Sequence, residues 1–218
     1  MAERFITIKG RGSASVKPDR IHLLLTLKTL DKNYEKMMSG SASKLDILYA
    51  SMEQIDVPRK DVKTTNFAIN SQYESIRDKN NNWKQVFQGY CCNQNLKIEL
   101  AFDMVRLGEA LGVIAQCTAD PELSIRFTVK DAEGMKNEVL RAAAKDARAK
   151  AELLVEASGV KLGQLYNINY SWGEIEVYSP TNYEKLAVPC AAAPDAMEIE
   201  PEDVSMEDTV TFTWEIEA

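Results

Sequence analysis

The sequence predicts an α+β fold, a largely antiparallel β-sheet with about three helices packed on it. Three observations predict it: apolar residues alternate at period two in several separate stretches, helical three- and four-residue spacing appears in three others, and the order is ββαββαβαββ. Runs of strands broken by single helices suit an antiparallel sheet with helices on one side, whereas a doubly wound sheet needs strict alternation of strand and helix. The 218 residues, 45% of them hydrophobic, are enough for one well-buried core without disulfides or metals, and they are read as a single domain, 1–218.

The first strand places Ile6, Ile8, Gly10, Gly12, Ala14 and Val16 on one face, and the second does the same with Ile21, Leu23, Leu25 and Leu27 after a Pro18-Asp19 turn. The row Gly10, Gly12, Ala14 has almost no side-chain volume, so a helix should approach it closely. Residues 32–55 carry Tyr34, Met37, Met38, Leu45, Leu48, Tyr49 and Met52 at helical spacing, and Pro58 ends that helix. Two long extended segments follow, 62–75 and 83–102, joined by a polar connector with Asn80, Asn81 and Asn82 that reads as a projecting hairpin tip; Gly89 marks a bulge or bend in the second. Asp103 caps a short helix whose contacts are Val105, Leu107, Leu111, Ile114 and Ala115. Leu123, Ile125, Phe127 and Val129 then alternate as a strand with one buried face. The strongest helix is 131–158, closed by Gly159, with a stripe of Leu140, Ala143, Ala144, Ala147, Ala151, Leu154 and Ala157 that matches the glycine row of the first strand. A strand at about 165–172 precedes a connector, about 174–208, holding four of the seven prolines and expected to be irregular; 209–216 is expected to be a strand of the main sheet, with Val210, Phe212, Trp214 and Ile216 on one face.

Net charge is −7, and nine acids with no Lys or Arg lie beyond residue 194, leaving a near-neutral body. That balance is a poor counter-charge for phosphates, so no nucleic-acid partner is expected. No apolar run reaches the roughly 18 residues of a membrane span. The N-terminal residues show no basic segment, apolar run or cleavage signal, which as written reads as cytoplasmic, or periplasmic if a leader was removed. Cys91, Cys92, Cys117 and Cys190 have no Cys-x-x-Cys spacing and His22 is the only histidine, so the cysteines are read as small packed side chains, and no metal or other cofactor is expected. Nucleophilic triads would all depend on that one imidazole, and Gly10-x-Gly12 lacks the third glycine and following helix of a dinucleotide site; no catalytic residue can be named and an enzyme is not expected.

Two groups remain as candidate interaction residues. Arg141, Lys145 and Arg148 share one side of the long helix, where Glu138 and Glu152 make a solvated, ion-paired face the plain reading and a basic docking patch the sharper one. Tyr170, Trp172 and Tyr178 stand beside the Pro-rich connector, where sheet packing competes with a protein contact.

Three stretches make the chain resemble the SIMPL domain family: Gly10-Arg11-Gly12-Ser13-Ala14 with Pro18-Asp19, Gly89-Tyr90 with Asn95-Leu96, and residues 143–152 running to Gly159 and Leu162-Gly163. The similarity in order and spacing covers essentially the whole chain. The resemblance implies an α+β fold and a bacterial protein of unknown function, and it brings no catalytic residues with it. Together these readings favour a non-enzymatic protein acting through self-association, as a homo-oligomer, or through binding another protein. The alternative from a different class is an enzyme or small-ligand binder using a pocket between sheet and helices.

Overall fold

The computed structural model describes residues 4–77, 81–171, 177–185 and 200–217, without side-chain detail at 184 and 185. The described elements are β1 (Phe5–Val16), β2 (Arg20–Asp31), α1 (Tyr34–Glu53), a 3-10 turn (Arg59–Asp61), β3 (Val62–Arg77), β4 (Trp83–Ala101), α2 (Met104–Gln116), β5 (Glu122–Thr128), α3 (Ala132–Ala157), β6 (Lys161–Asn169), β7 (Tyr178–Lys185) and β8 (Val204–Glu217). The α+β class and the three helices are as the sequence predicts. The strands form two sheets where one was expected: a three-stranded sheet of order β1-β8-β6 and a five-stranded sheet of order β3-β4-β2-β5-β7. The pairings β1–β8, β6–β8, β2–β4 and β3–β4 are antiparallel.

Two compact units result. In the first, α3 lies on the three-stranded sheet. Its buried row is Met135, Val139, Ala143, Ala147, Ala151 and Val155, one residue in four. A row at that spacing is a ridge inclined to the helix axis by roughly 26°, so a helix lying obliquely on the sheet seats this ridge and leaves Leu154, expected in the stripe, half exposed. The close approach to β1 is as the Gly-Gly-Ala row implies. A Cβ on Gly10 would come within 2.7 Å of Ala147 Cβ, and one on Gly12 within 2.7 Å of the Ala143 amide nitrogen. Asp131 caps the helix, its Oδ1 accepting from the Gly134 amide at 2.7 Å, and Gly159 at φ 71° ends it. Outside the glycine row the core is large side chains: Val210, Phe212 and Trp214 of β8 are buried, the last two stacked with ring centroids 5.5 Å apart.

The second unit buries the row Ile21, Leu23, Leu25, Leu27 of β2 and Leu96, Ile98, Leu100 of β4 under Leu48 and Met52 of α1 and Leu107, Ala110 and Ile114 of α2, with Leu123, Ile125 and Phe127 of β5. Asn33 caps α1, accepting from the Lys36 amide at 3.1 Å, and Asp103 caps α2, accepting from the Val105 and Arg106 amides at 2.9 and 3.2 Å. Val105 itself is exposed, correcting its place in the expected contacts of α2, because that first-turn position faces away from the sheet.

Three further expectations change. β1 and β2 do not pair with each other: the Pro18-Asp19 turn carries the chain from one sheet to the other, held by the Asp19 amide donating to the Thr128 carbonyl and the Lys130 amide donating to Asp19 Oδ1. The 174–208 connector is not irregular throughout, since Tyr178–Lys185 is an edge strand and the last strand starts at Val204; the prolines conceal this, because Pro180 is compatible with an edge strand. β8, assigned to the main sheet, is the central strand of the smaller one. Cys92 and Cys117 are buried and Cys91 half-buried, all as free thiols; Cys190 lies outside the described residues.

Candidate interaction surface

The β3–β4 hairpin outruns its sheet. β2 pairs with β4 only from Tyr90 onward, so residues 83–89 of β4 are paired only with residues 72–77 of β3, as a two-stranded ribbon. Gly89, at φ 150°, makes the bend that the sequence marks: the register skips between Gln72 and Tyr73, and a Cβ at Gly89 would fall 2.6 Å from the Asp31 carbonyl oxygen. The skipped residue, Gln88, lets Phe87 and Tyr90 share one side of the ribbon.

A continuous aromatic row follows from that shift. Tyr34 at the start of α1 meets Tyr90 edge to face at 5.5 Å, Tyr90 meets Phe87 at 5.3 Å, and Phe87 meets its cross-strand partner Tyr73 at 5.5 Å. Farther out the Arg77 guanidinium lies 5.0 Å over the Trp83 ring. Tyr34 is 48%, Tyr73 55% and Trp83 68% exposed. Aromatic surface of this extent, on a ribbon that by itself is marginal in water, is what protein contacts use. None of these residues stood out in the sequence as a group. Their spacing looks random until hairpin register and bulge are known, and the only signal was Gly89 beside Tyr90.

The sequence-derived candidates are elsewhere. Arg141, Lys145 and Arg148 are exposed on the side of α3 turned from its sheet; Arg148 Nε donates to Glu152 Oε1 at 2.8 Å, and Arg141 borders a shallow concavity shared with Asp19, Asp131 and Glu138. Acids are thus interleaved with the bases. Tyr170 is half-buried just past β6, its hydroxyl donating to Asp208 Oδ2 at 3.0 Å; this bond to the carboxylate pushes the phenol pKa up. Tyr178 is half-buried at the start of β7, and Trp172 lies outside the described residues.

The alternative pocket was expected between sheet and helices. One concavity of the second unit, about 350 Å³, is on the other face of the five-stranded sheet, bordered by Thr26, Thr65, Asn95, Glu122, Ser124 and Arg126; another, wide open to solvent, is bordered by Ile55, Arg106 and Val113. Among the described residues no group of three or more His, Cys, Asp or Glu side chains is placed to hold a metal ion. His22, on this same face of the sheet, is buried, and its Nε2 lies 3.4 Å from Glu99 Oε2. Burial lowers its pKa below the ordinary value, with Lys97 adding to the effect and Glu99 opposing it. The unfolded chain therefore binds the proton more readily than the folded one, and stability should fall as pH drops below about 6.5, by at most about 1.4 kcal/mol per pH unit. Because His22 is the only histidine, His22→Gln should flatten the melting temperature between about pH 7 and 5.5; an unaltered slope would show that other groups set it.

Residues 6–214 match the model of SIMPL, a family described as protein of unknown function (DUF541), and the chain belongs to that family. It is similar to the 26 kDa periplasmic immunogenic proteins of Brucella melitensis biotype 1 and Brucella abortus strain S19, at 23% identity over 164 residues in each case. The match covers 75% of this chain and 65% of each relative, less than two thirds of their length. Among the described residues no helix is long and apolar enough to cross a membrane.

Proposed function

We propose that this chain is a non-enzymatic SIMPL protein that works by binding protein, either a copy of itself or another chain, through the aromatic side of its β3–β4 hairpin. The observation that carries this reading is the exposed rings Tyr34, Tyr73 and Trp83, the first two linked through the edge contacts of Tyr90 and Phe87. Such rings lose little conformational entropy on contact and dominate interface energies. Sedimentation velocity on the wild type and on Tyr73→Ser/Trp83→Ser tests it. The wild type should exceed monomer mass, or retain a defined partner in a pull-down, and the double variant should lose that species with little change in melting temperature. A strict monomer with no partner, or an assembly indifferent to both substitutions, overturns the reading.

The 350 Å³ concavity favours a second reading, a small-ligand binder or enzyme. A metabolite thermal-shift screen separates the two, because a specific ligand raises the apparent melting temperature by mass action. A shift that Asn95→Ala removes would favour the second. The name of the Brucella relatives makes a periplasmic location the reading to test by fractionation against the cytoplasmic one.

A further inference from the structure

We propose that β3 is the seat of a second copy of this chain, added edge to edge and antiparallel about a two-fold axis at Ile69. The proposal rests on the self-association branch of the function above and names its surface.

Each sheet has two edges, and three of the four carry devices that block pairing. β1 presents Lys9 and Arg11, β6 has two register shifts within nine residues, and β7 is short and contains Pro180. β3 has little of this protection. It is the end strand of the five-stranded sheet, sixteen residues long and exposed along nearly its whole length, and from Thr64 through Tyr73 it carries no charge, proline or glycine. Such an edge is a template for another strand.

Charge selects the partner and the register. Lys63 faces Lys97 directly across the β3–β4 ladder, so its ammonium has a like charge on one side and gains from an acid on the other. The next charge along the edge is Glu74, which accepts from Gln88 Nε2 at 2.8 Å through one carboxylate oxygen. Both lie on the helix-free side of β3, since Val62 and Thr64 face Ile98 and Leu96 of the core while Tyr73 faces Phe87. In an antiparallel pair directly opposite residues share a side, which restricts a symmetric dimer to a few registers. Ile69 on the axis puts Phe67 opposite the partner's Ser71 and Asn66 opposite the partner's Gln72. The irregularity between Thr64 and Asn66 then absorbs Thr65, and Thr64 meets the partner's Tyr73 while Lys63 meets the partner's Glu74, twice by symmetry. Centring on Ala68 sets Lys63 against Gln72, and centring on Asn70 sets it against Ile76. Only the Ile69 register makes two ion pairs, and it does so with a copy of the same strand, an isologous contact.

The test is a charge swap read by sedimentation equilibrium of the full chain, with circular dichroism confirming the fold. Wild type should self-associate, Lys63→Glu and Glu74→Lys should each raise the dissociation constant by at least about tenfold through like charges set opposite each other, and the double swap should restore it. Association untouched by either single substitution, or not recovered in the double, overturns the β3 register while leaving self-association standing. A wild type that stays monomeric overturns the proposal together with the self-association branch of the function.

Discussion

Deleting residues 209–218 should abolish folding of the unit built on the three-stranded sheet. Nine acids beyond residue 194 invite the view that this end is a dispensable tail, yet it supplies most of the strand that separates β1 from β6. Val210 pairs with Gly10, Phe212 with Ile8 and Trp214 with Ile6, and all three β8 side chains are buried. At roughly 1.5–3 kcal/mol for each large apolar side chain removed from water, before counting two lost ladders, the deletion exceeds what a marginally stable domain can lose. The acids of β8 are accommodated because they alternate outward or find partners, as Asp208 does with Tyr170 and Glu207 with Arg11, an ion pair that holds the Glu207 carboxyl below its usual range. Thermal unfolding by circular dichroism checks this: the truncated chain should lose one cooperative transition or become insoluble. Melting at the parent temperature would show that β8 contributes nothing.

The second large effect concerns the smallest side chains. Gly12→Ala should destabilise by about 3 kcal/mol, at the upper end of overpacking costs, because its Cβ would overlap the Val139 carbonyl oxygen and press on the Ala143 amide, both backbone atoms of α3 that cannot rotate away. Ala147→Leu attacks the same contact from the helix side and should cost about 1–3 kcal/mol. For a chain of this size that is roughly 2–4 °C of melting temperature per kcal/mol. Gly108→Ala is the control: a Cβ there meets nothing within 4 Å and lies in a helix interior, so stability should rise by about 0.5–1 kcal/mol. If Gly12→Ala melts like the control, α3 does not rest on β1.

Much of this architecture is legible in the residues. The α3 contact could be read from Gly10, Gly12 and Ala14 beside an alanine-rich helix because volume complementarity is local to each element and needs no knowledge of topology. Gly89 announced its bend for a similar reason, since backbone approaching within 2.6 Å excludes a side chain. The interaction surface was not legible: Arg141, Lys145, Arg148, Tyr170 and Tyr178 were visible as clusters along the chain, whereas Tyr34, Tyr73, Phe87 and Tyr90 are joined only by a hairpin register and a skipped residue.

The sequence by itself therefore determined the helices, the strands other than β7, most of their buried faces, and where α3 and β1 touch, because periodicity and side-chain volume are properties of one segment at a time. Only the tertiary structure decided which strands are neighbours. It sent β1 and β2 to different sheets across a three-residue connection, put the acidic β8 between β1 and β6, found β7 among the prolines and left β3 on an edge. Alternation says that a strand has an apolar face and is silent on its partners. Partners are chosen by the competition of all strands for backbone hydrogen bonds and a shared core, and that choice creates the exposed edge and aromatic row on which the function proposed for this chain depends.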